Sequence, residues 1–150
     1  NHRALLTHAG KYQARIAADV ILGKDVRATA DLDGPPRVTF TDPEVAAVGL
    51  TLDAARERGI DARAVDVATS GNAGSSFYGR GAEGTSRLVI DEGRGVIVGA
   101  TFVGFQTGEL LHAATVAITA EVPLERLRHA IAPFPTRNEV WLYLLEEYGL

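Results

Sequence analysis

The chain contains no cysteine, no methionine and a single tryptophan in 150 residues. Without cysteine it can hold no disulfide, no thiolate metal site and no cysteine redox pair. Without methionine, and starting at Asn1, it reads as a segment of a longer protein. No apolar run approaches the roughly 20 residues that span a bilayer. The charged head and long apolar middle of a secretion signal are also missing, so the expectation is a cytoplasmic protein with no membrane partner. Positive charge is short as well. The formal net charge is −4 and the Lys and Arg are scattered, which leaves no electrostatic footprint for nucleic acid.

What is present is an ordinary globular composition, 46% hydrophobic and 23% charged, in a length that supports one domain with a real core. The most structured stretch is Pro133-Phe134-Pro135-Thr136-Arg137-Asn138-Glu139, followed at once by Val140-Trp141-Leu142-Tyr143-Leu144-Leu145. Thr136 and Glu139 have the spacing of a capping box, in which hydroxyl and carboxylate each satisfy the other residue's amide. A helix from Arg137 to about Glu147 is predicted. Trp141, Leu144, Leu145 and Tyr148 share one stripe, with Val140 and Tyr143 off it. Two apolar faces call for two neighbours, the domain's own core and a second subunit.

Upstream, Ala9, Tyr12, Gln13, Ile16, Ala17, Val20 and Ile21 give a helical stripe over residues 4–22, with Gly23 as terminator. Residues 24–36 read as a linker. Arg37 to Phe40 alternates as a strand, Asp42-Pro43-Glu44 is turn chemistry, and Val45 to Val48 is extended. Thr51 caps a helix from Leu52 to Arg58, and Ala62 to Ala68 is a strand. Residues 69–84 are small, polar and glycine-rich, and read as a flexible loop. Within them Gly79-Arg80-Gly81-Ala82-Glu83-Gly84 matches G-x-G-x-x-G literally, but a strand (Thr85 to Asp91) follows instead of the helix that phosphate binding needs, so the match is rejected. A hairpin then turns at Asp91-Glu92-Gly93-Arg94-Gly95 into the apolar strand Val96 to Val103. Thr107 caps a helix to about Ala120, and a second capped segment runs from Pro123 to Ala130.

Several of these stretches resemble one family. Pro135, Thr136 and Glu139 match the His-Pro-Thr-x-x-Glu signature of FAD-dependent pyridine nucleotide-disulfide oxidoreductases, the group of dihydrolipoamide dehydrogenase, glutathione reductase and mercuric reductase. The run Val38-Thr39-Phe40-Thr41-Asp42-Pro43-Glu44-Val45-Ala46-Ala47-Val48-Gly49-Leu50 resembles the start of that family's dimerisation domain, and 96–111 is a third anchor. The resemblance implies an α+β domain at 37–150, an antiparallel sheet flanked by helices with the last helix at a two-fold interface. It makes residues 1–23 the closing helix of an FAD domain, with Thr7, His8 and Ala9 nearest the flavin. The partner implied is a second copy, through Phe134, Pro135, Thr136, Trp141, Leu144 and Leu145.

In the family the signature His crosses the interface as acid/base for the partner's redox disulfide and the Glu orients it. Here that position is Phe134, and a phenyl ring cannot exchange a proton. Glu139 is the one catalytic candidate the signature leaves. Dithiol exchange gives way to quinone, metal-ion or small-molecule acceptors in this reading. FAD and NAD(P)H belong to the full-length parent, and the segment by itself is expected to bind neither and to be inactive. Its four histidines, His2, His8, His112 and His129, lack the i, i+3 or i, i+4 spacing of a helical metal site, so no metal is expected. His129, five residues before Phe134, stands near the signature without occupying it. Two alternatives stand beside the main reading: a stand-alone binding or dimerisation module, and a small enzyme built on His8, His129 or Glu139.

Overall fold

The structure, a computed structural model, describes residues 4–31, 34–78 and 83–150. Five antiparallel strands form one sheet in the order β1-β2-β5-β4-β3, with β1 Arg37–Thr39, β2 Glu44–Gly49, β3 Ala62–Ala68, β4 Thr85–Asp91 and β5 Val96–Gly104. The most apolar strand, β5, is central, as its composition predicted. Its pairing with β4 steps from Val89↔Gly99 to Ile90↔Ile97, leaving Val98 as an extra residue. Such a bulge resets the alternation of side chains, so Ile97 and Ala100, at odd and even positions, both face the main core. Val98 falls on the other face, with Ala55, Ala62 and Val89. Gly99 is required there, because a Cβ would meet the Leu50 carbonyl oxygen at 1.9 Å.

On the main face α4 (Leu111–Thr119) packs on β5 and β2, and α6 (Val140–Tyr148) packs on β3 and β4. Between them lie Leu88, Ile90, Phe102, Leu111 and Leu144, all buried. The opposite face carries α2 (Leu52–Glu57), which Thr51 caps by accepting from the Ala54 amide at 3.2 Å, as predicted. The remaining helices are α1 (Thr7–Ile21), α3 (Ala73–Ser76) and α5 (Leu124–Leu127). This is the α+β antiparallel architecture that the family resemblance implied.

Five expectations need correction. The capping box does not form. The Thr136 hydroxyl donates to the Pro133 carbonyl at 2.7 Å, residues Arg137–Glu139 make a 3-10 turn, and α6 begins only at Val140. Val140 is not off the buried stripe; it is fully buried in the same core as Trp141, because the sheet and the start of the helix close on it together. Thr107 does not cap. Its hydroxyl donates to the Glu44 carbonyl, and the half-buried amide of Gly108 is satisfied by Glu44 Oε2 at 3.2 Å. The segment from Pro123 has no side-chain cap either. Finally, the region from 69 is not all loop: Asn72 caps α3, accepting from the Ser75 amide at 2.9 Å. The G-x-G-x-x-G run lies mostly, at 79–82, outside the described residues, as does His2.

Candidate functional site at the Phe134 turn

Phe134 stands at the tip of the turn before α6 and is 76% exposed, and its peptide bond to Pro135 is cis. The Thr136 hydroxyl closes the turn from inside. Glu139, half-buried on the following 3-10 turn, has one carboxylate oxygen, Oε2, shielded from water and without a hydrogen-bond partner. Phe134 itself offers no proton.

Beneath the turn sits a pedestal that sequence reading missed. Thr69, with one hydroxyl proton, donates it to the Val103 carbonyl at 2.8 Å and lies 2.8 Å from Ser86 Oγ. The Thr69 carbonyl in turn accepts from Asn72 Nδ2 and Ser75 Oγ, each at 3.1 Å. This buried network fixes α3 so closely against the turn that a Cβ on Gly74 would stand 2.2 Å from the Thr136 carbonyl carbon and 2.5 Å from the Arg137 nitrogen. The signal for it was present, an Asn three residues before a Ser, which is the N-cap to N3 spacing.

Arg137 follows directly and is only 8% exposed. Nη1 donates to the Phe105 carbonyl, and the guanidinium carbon lies 5.4 Å from the centre of the Tyr78 ring. Nε and Nη2 are buried with no partner. Burial holds its pKa below the ordinary arginine value, with Tyr78 and Glu44 pulling the other way. Tyr78 and Phe105 rings tilt against each other at 5.2 Å. On one side of them opens a cleft of about 370 Å³ with Asp42 and Glu44 in its wall; on the other, one of about 280 Å³ reaches Phe77, Pro135 and Arg137. Nothing in the sequence's periodicity separates Arg137 from a surface arginine, which is why it was passed over.

The remaining expected site residues divide. Leu144 has no surface to offer a partner, being fully enclosed by the chain's own core. Trp141 and Leu145 are also in that core, yet they line an apolar groove of about 320 Å³ with Ile131 and Pro133. Trp141 Nε1 is buried without a partner. Thr7, His8 and Ala9 open α1, where the helix has no side-chain cap and no acidic residue in its first turn; the first intrahelical bond runs from the Gly10 amide to Leu6. His8 lies 2.6 Å (Nε2) from the Pro36 carbonyl and shares a cleft with His112, not with His129 or Glu139. Among the described residues no three His, Cys, Asp or Glu converge as a metal centre, and no helix is long and apolar enough to cross a membrane.

Residues 35–144 match the family model described as the pyridine nucleotide-disulphide oxidoreductase dimerisation domain. The chain is 30% identical to a dihydrolipoyl dehydrogenase of Rhizobium etli, over 97% of its own length and 30% of that protein's. It is 31% identical to a mercuric reductase of Staphylococcus aureus, over 89% of its length and 24% of the relative's. Among solved structures it resembles LpdA from Mycobacterium tuberculosis with a TM-score of 0.88, at 22% identity, covering all of this chain and 32% of that one. The chain thus spans about a third or less of the proteins it matches.

Proposed function

The chain belongs to the pyridine nucleotide-disulphide oxidoreductase family through its dimerisation domain, and we propose that it pairs with a second copy as part of an FAD-dependent NAD(P)H oxidoreductase. The observation that carries the pairing is the apolar ground on the Phe134 side. Ile131 is 91% exposed and Phe134 76%, with a groove beside them floored by Trp141 and Leu145. Apolar surface gathered in this way marks an interaction site. Light scattering on the eluting protein tests it. A two-fold mass is expected, reverting to one-fold in Ile131→Asp with secondary structure retained. A clean monomer at high micromolar concentration would sink the reading.

For the flavin, the fit lies at the start of α1, whose uncapped amides at Thr7, His8 and Ala9 and positive dipole end suit the electron-rich edge of a bound ring. FAD, when bound, supplies two-electron transfer from NAD(P)H; these three residues contribute donors and no proton chemistry. Among the described residues no glycine-rich loop stands between a strand and a helix as a dinucleotide loop does, and the chain alone should leave FAD fluorescence unquenched.

Phe134, at the place of the family's acid/base His, fills space and covers apolar surface instead of moving a proton. The acceptor that follows is one needing no proton relay at this position, such as a quinone, a metal ion or another small molecule. In the whole oxidoreductase Phe134→Ala should change acceptor access or stability and leave the pH–rate profile with a quinone as it was. Loss of one ionisation with flavin content intact would refute this.

A further inference from the structure

A guanidinium is charged at every accessible pH and carries five N–H groups; enclosing it in protein is unfavourable unless those groups are paired. Arg137 is enclosed and only Nη1 is paired. The two unpaired nitrogens, Nε and Nη2, form one edge of the fork. Elsewhere in the same chain that edge is filled: Arg87 holds Asp66 with Nε and Nη2, each at 2.7 Å from a carboxylate oxygen. The complement of the Arg137 edge is therefore a planar two-oxygen acceptor.

The surroundings narrow the acceptor further. Arg137 lines the cleft of about 280 Å³, together with Phe77, Tyr78, Gln106 and Pro135. Phe77 is 75% exposed and packs no core, and the Tyr78 ring is partly exposed, so an aromatic or flat body has two faces to lie against. Glu109 lines the same cleft, and Asp42 and Glu44 line the adjoining one. These carboxylates oppose a dianion more than a monoanion, which favours a carboxylate over a phosphate. Asn138 lines both this cleft and the apolar groove beside Ile131, and Pro135 and Thr136 of the expected pairing surface line the cleft as well, so the titration is read together with the mass by light scattering.

We propose that the cleft between Phe77-Tyr78 and the Phe134 turn binds a small aromatic carboxylate, its two oxygens on the Nε–Nη2 edge of Arg137 and its ring against Phe77 and Tyr78. Both nitrogens are screened from water, so binding requires a neighbouring side chain to move aside; the Tyr78 ring, centred 5.4 Å from the guanidinium carbon and partly exposed, is the nearest one free to do so.

The probe is benzoate, titrated into the full chain while the arginine Nε–H resonances are followed by NMR, with acetate and inorganic phosphate as parallel arms. Saturable movement of the Arg137 Nε–H signal is expected, with benzoate binding about tenfold or more tighter than either other anion, the margin of one good contact. In Arg137→Gln, followed through the benzoate ring signals, saturable binding should be lost. Should that variant not fold, Phe77→Ala decides, since it removes an exposed ring: benzoate affinity should fall severalfold with the melting temperature unchanged. Absence of saturation at millimolar benzoate, equal affinity for phosphate, or binding that survives both substitutions overturns the proposal. None of these outcomes bears on the mass by light scattering, so failure here and failure of the pairing are told apart.

Discussion

Helices α1 and α6 carry apolar residues at comparable spacing, and the rest of the chain treats them in opposite ways. The shorter, α6, with 9 residues, buries Val140, Trp141, Leu144 and Leu145 against β3 and β4. The longer, α1, with 15 residues, buries only Ala9, while Val20 and Ile21 stay exposed, as do Leu5 before it and Leu22 after it. Among the contacts that hold α1 are two hydrogen bonds to the segment that follows it: His8 to the Pro36 carbonyl and the Ala30 amide to the Tyr12 hydroxyl at 3.4 Å. Periodicity tells which face of a helix wants cover. It does not tell whether the same chain supplies it. Here α6 belongs to this sheet, and α1 presents a stripe whose cover is not among the described residues.

The sharpest way to break the comparison is Leu144→Ala. Leu144 is completely enclosed, so the change removes buried methyl groups and leaves a cavity, at a cost of about 2–5 kcal/mol. Urea titration followed by Trp141 fluorescence measures it directly. A loss under about 1 kcal/mol would mean α6 is far less integral than its packing implies. Next comes Gly74→Ala. A Cβ there runs into Thr136 and Arg137 backbone at 2.2–2.6 Å, atoms that cannot swing aside, so α3 or the turn before α6 must shift. We expect about 1–3 kcal/mol of destabilisation, as for other overpacked sites. Since the turn also carries Phe134, a loss of pairing by light scattering should accompany it.

Much of this contrast could be read from residues. The alternation in β1 to β5, the apolar centre at β5, the Thr51 cap and the end of α1 before Gly23, which has φ 78°, all depend on neighbours in sequence and were legible. The failures share a cause. Thr136 and Glu139 had capping-box spacing, but the Thr136 hydroxyl turns to donate to the Pro133 carbonyl and the Glu139 amide bonds the Thr136 carbonyl instead. Thr107 lost its cap to Glu44, 64 residues from Gly108 in the chain. Val140 lay off the helical stripe, yet the sheet reached round to it. Each hinges on a partner distant in sequence or on a competition no pattern records. At the site, Phe134 and Glu139 were legible only through resemblance, and the enclosed Arg137 not at all.

Between the two helices in size of effect stands the exposed ion pair of the sheet's edge. Arg87 holds the Asp66 carboxyl below its ordinary value of 3.8, chiefly through the hydrogen bond, which outweighs the opposing effect of burial, with the Arg87 charge adding least. A depressed folded pKa stabilises at pH above the unfolded value, and that contribution disappears as pH falls through 3.8 toward the folded pKa. With the side chains 47% and 43% exposed, solvent limits the gain to about 0.2–1 kcal/mol. Asp66→Asn should therefore lower stability by that amount at pH 7 and by nothing at pH 2. An equal deficit at both pH values would assign the effect to packing.

The smallest effect sharpens the comparison most. If α1's stripe is uncovered in this chain, replacing its apolar residues removes no buried contact. Val20 is 55% exposed and Ile21 83%, so each already spends its folded state largely in water. Val20→Lys and Ile21→Lys are then surface substitutions on a helix, each a slight gain in propensity, and each should change unfolding free energy by no more than about 0.5 kcal/mol. The same two changes in a longer chain whose further residues pack on α1 should cost several-fold more, because there the lysine ammonium would be placed against apolar surface. Running the pair in both backgrounds separates the two ways a helix can be amphipathic. A cost above about 1.5 kcal/mol in the 150-residue chain would show that α1 packs on this domain after all, and the contrast with α6 would fall.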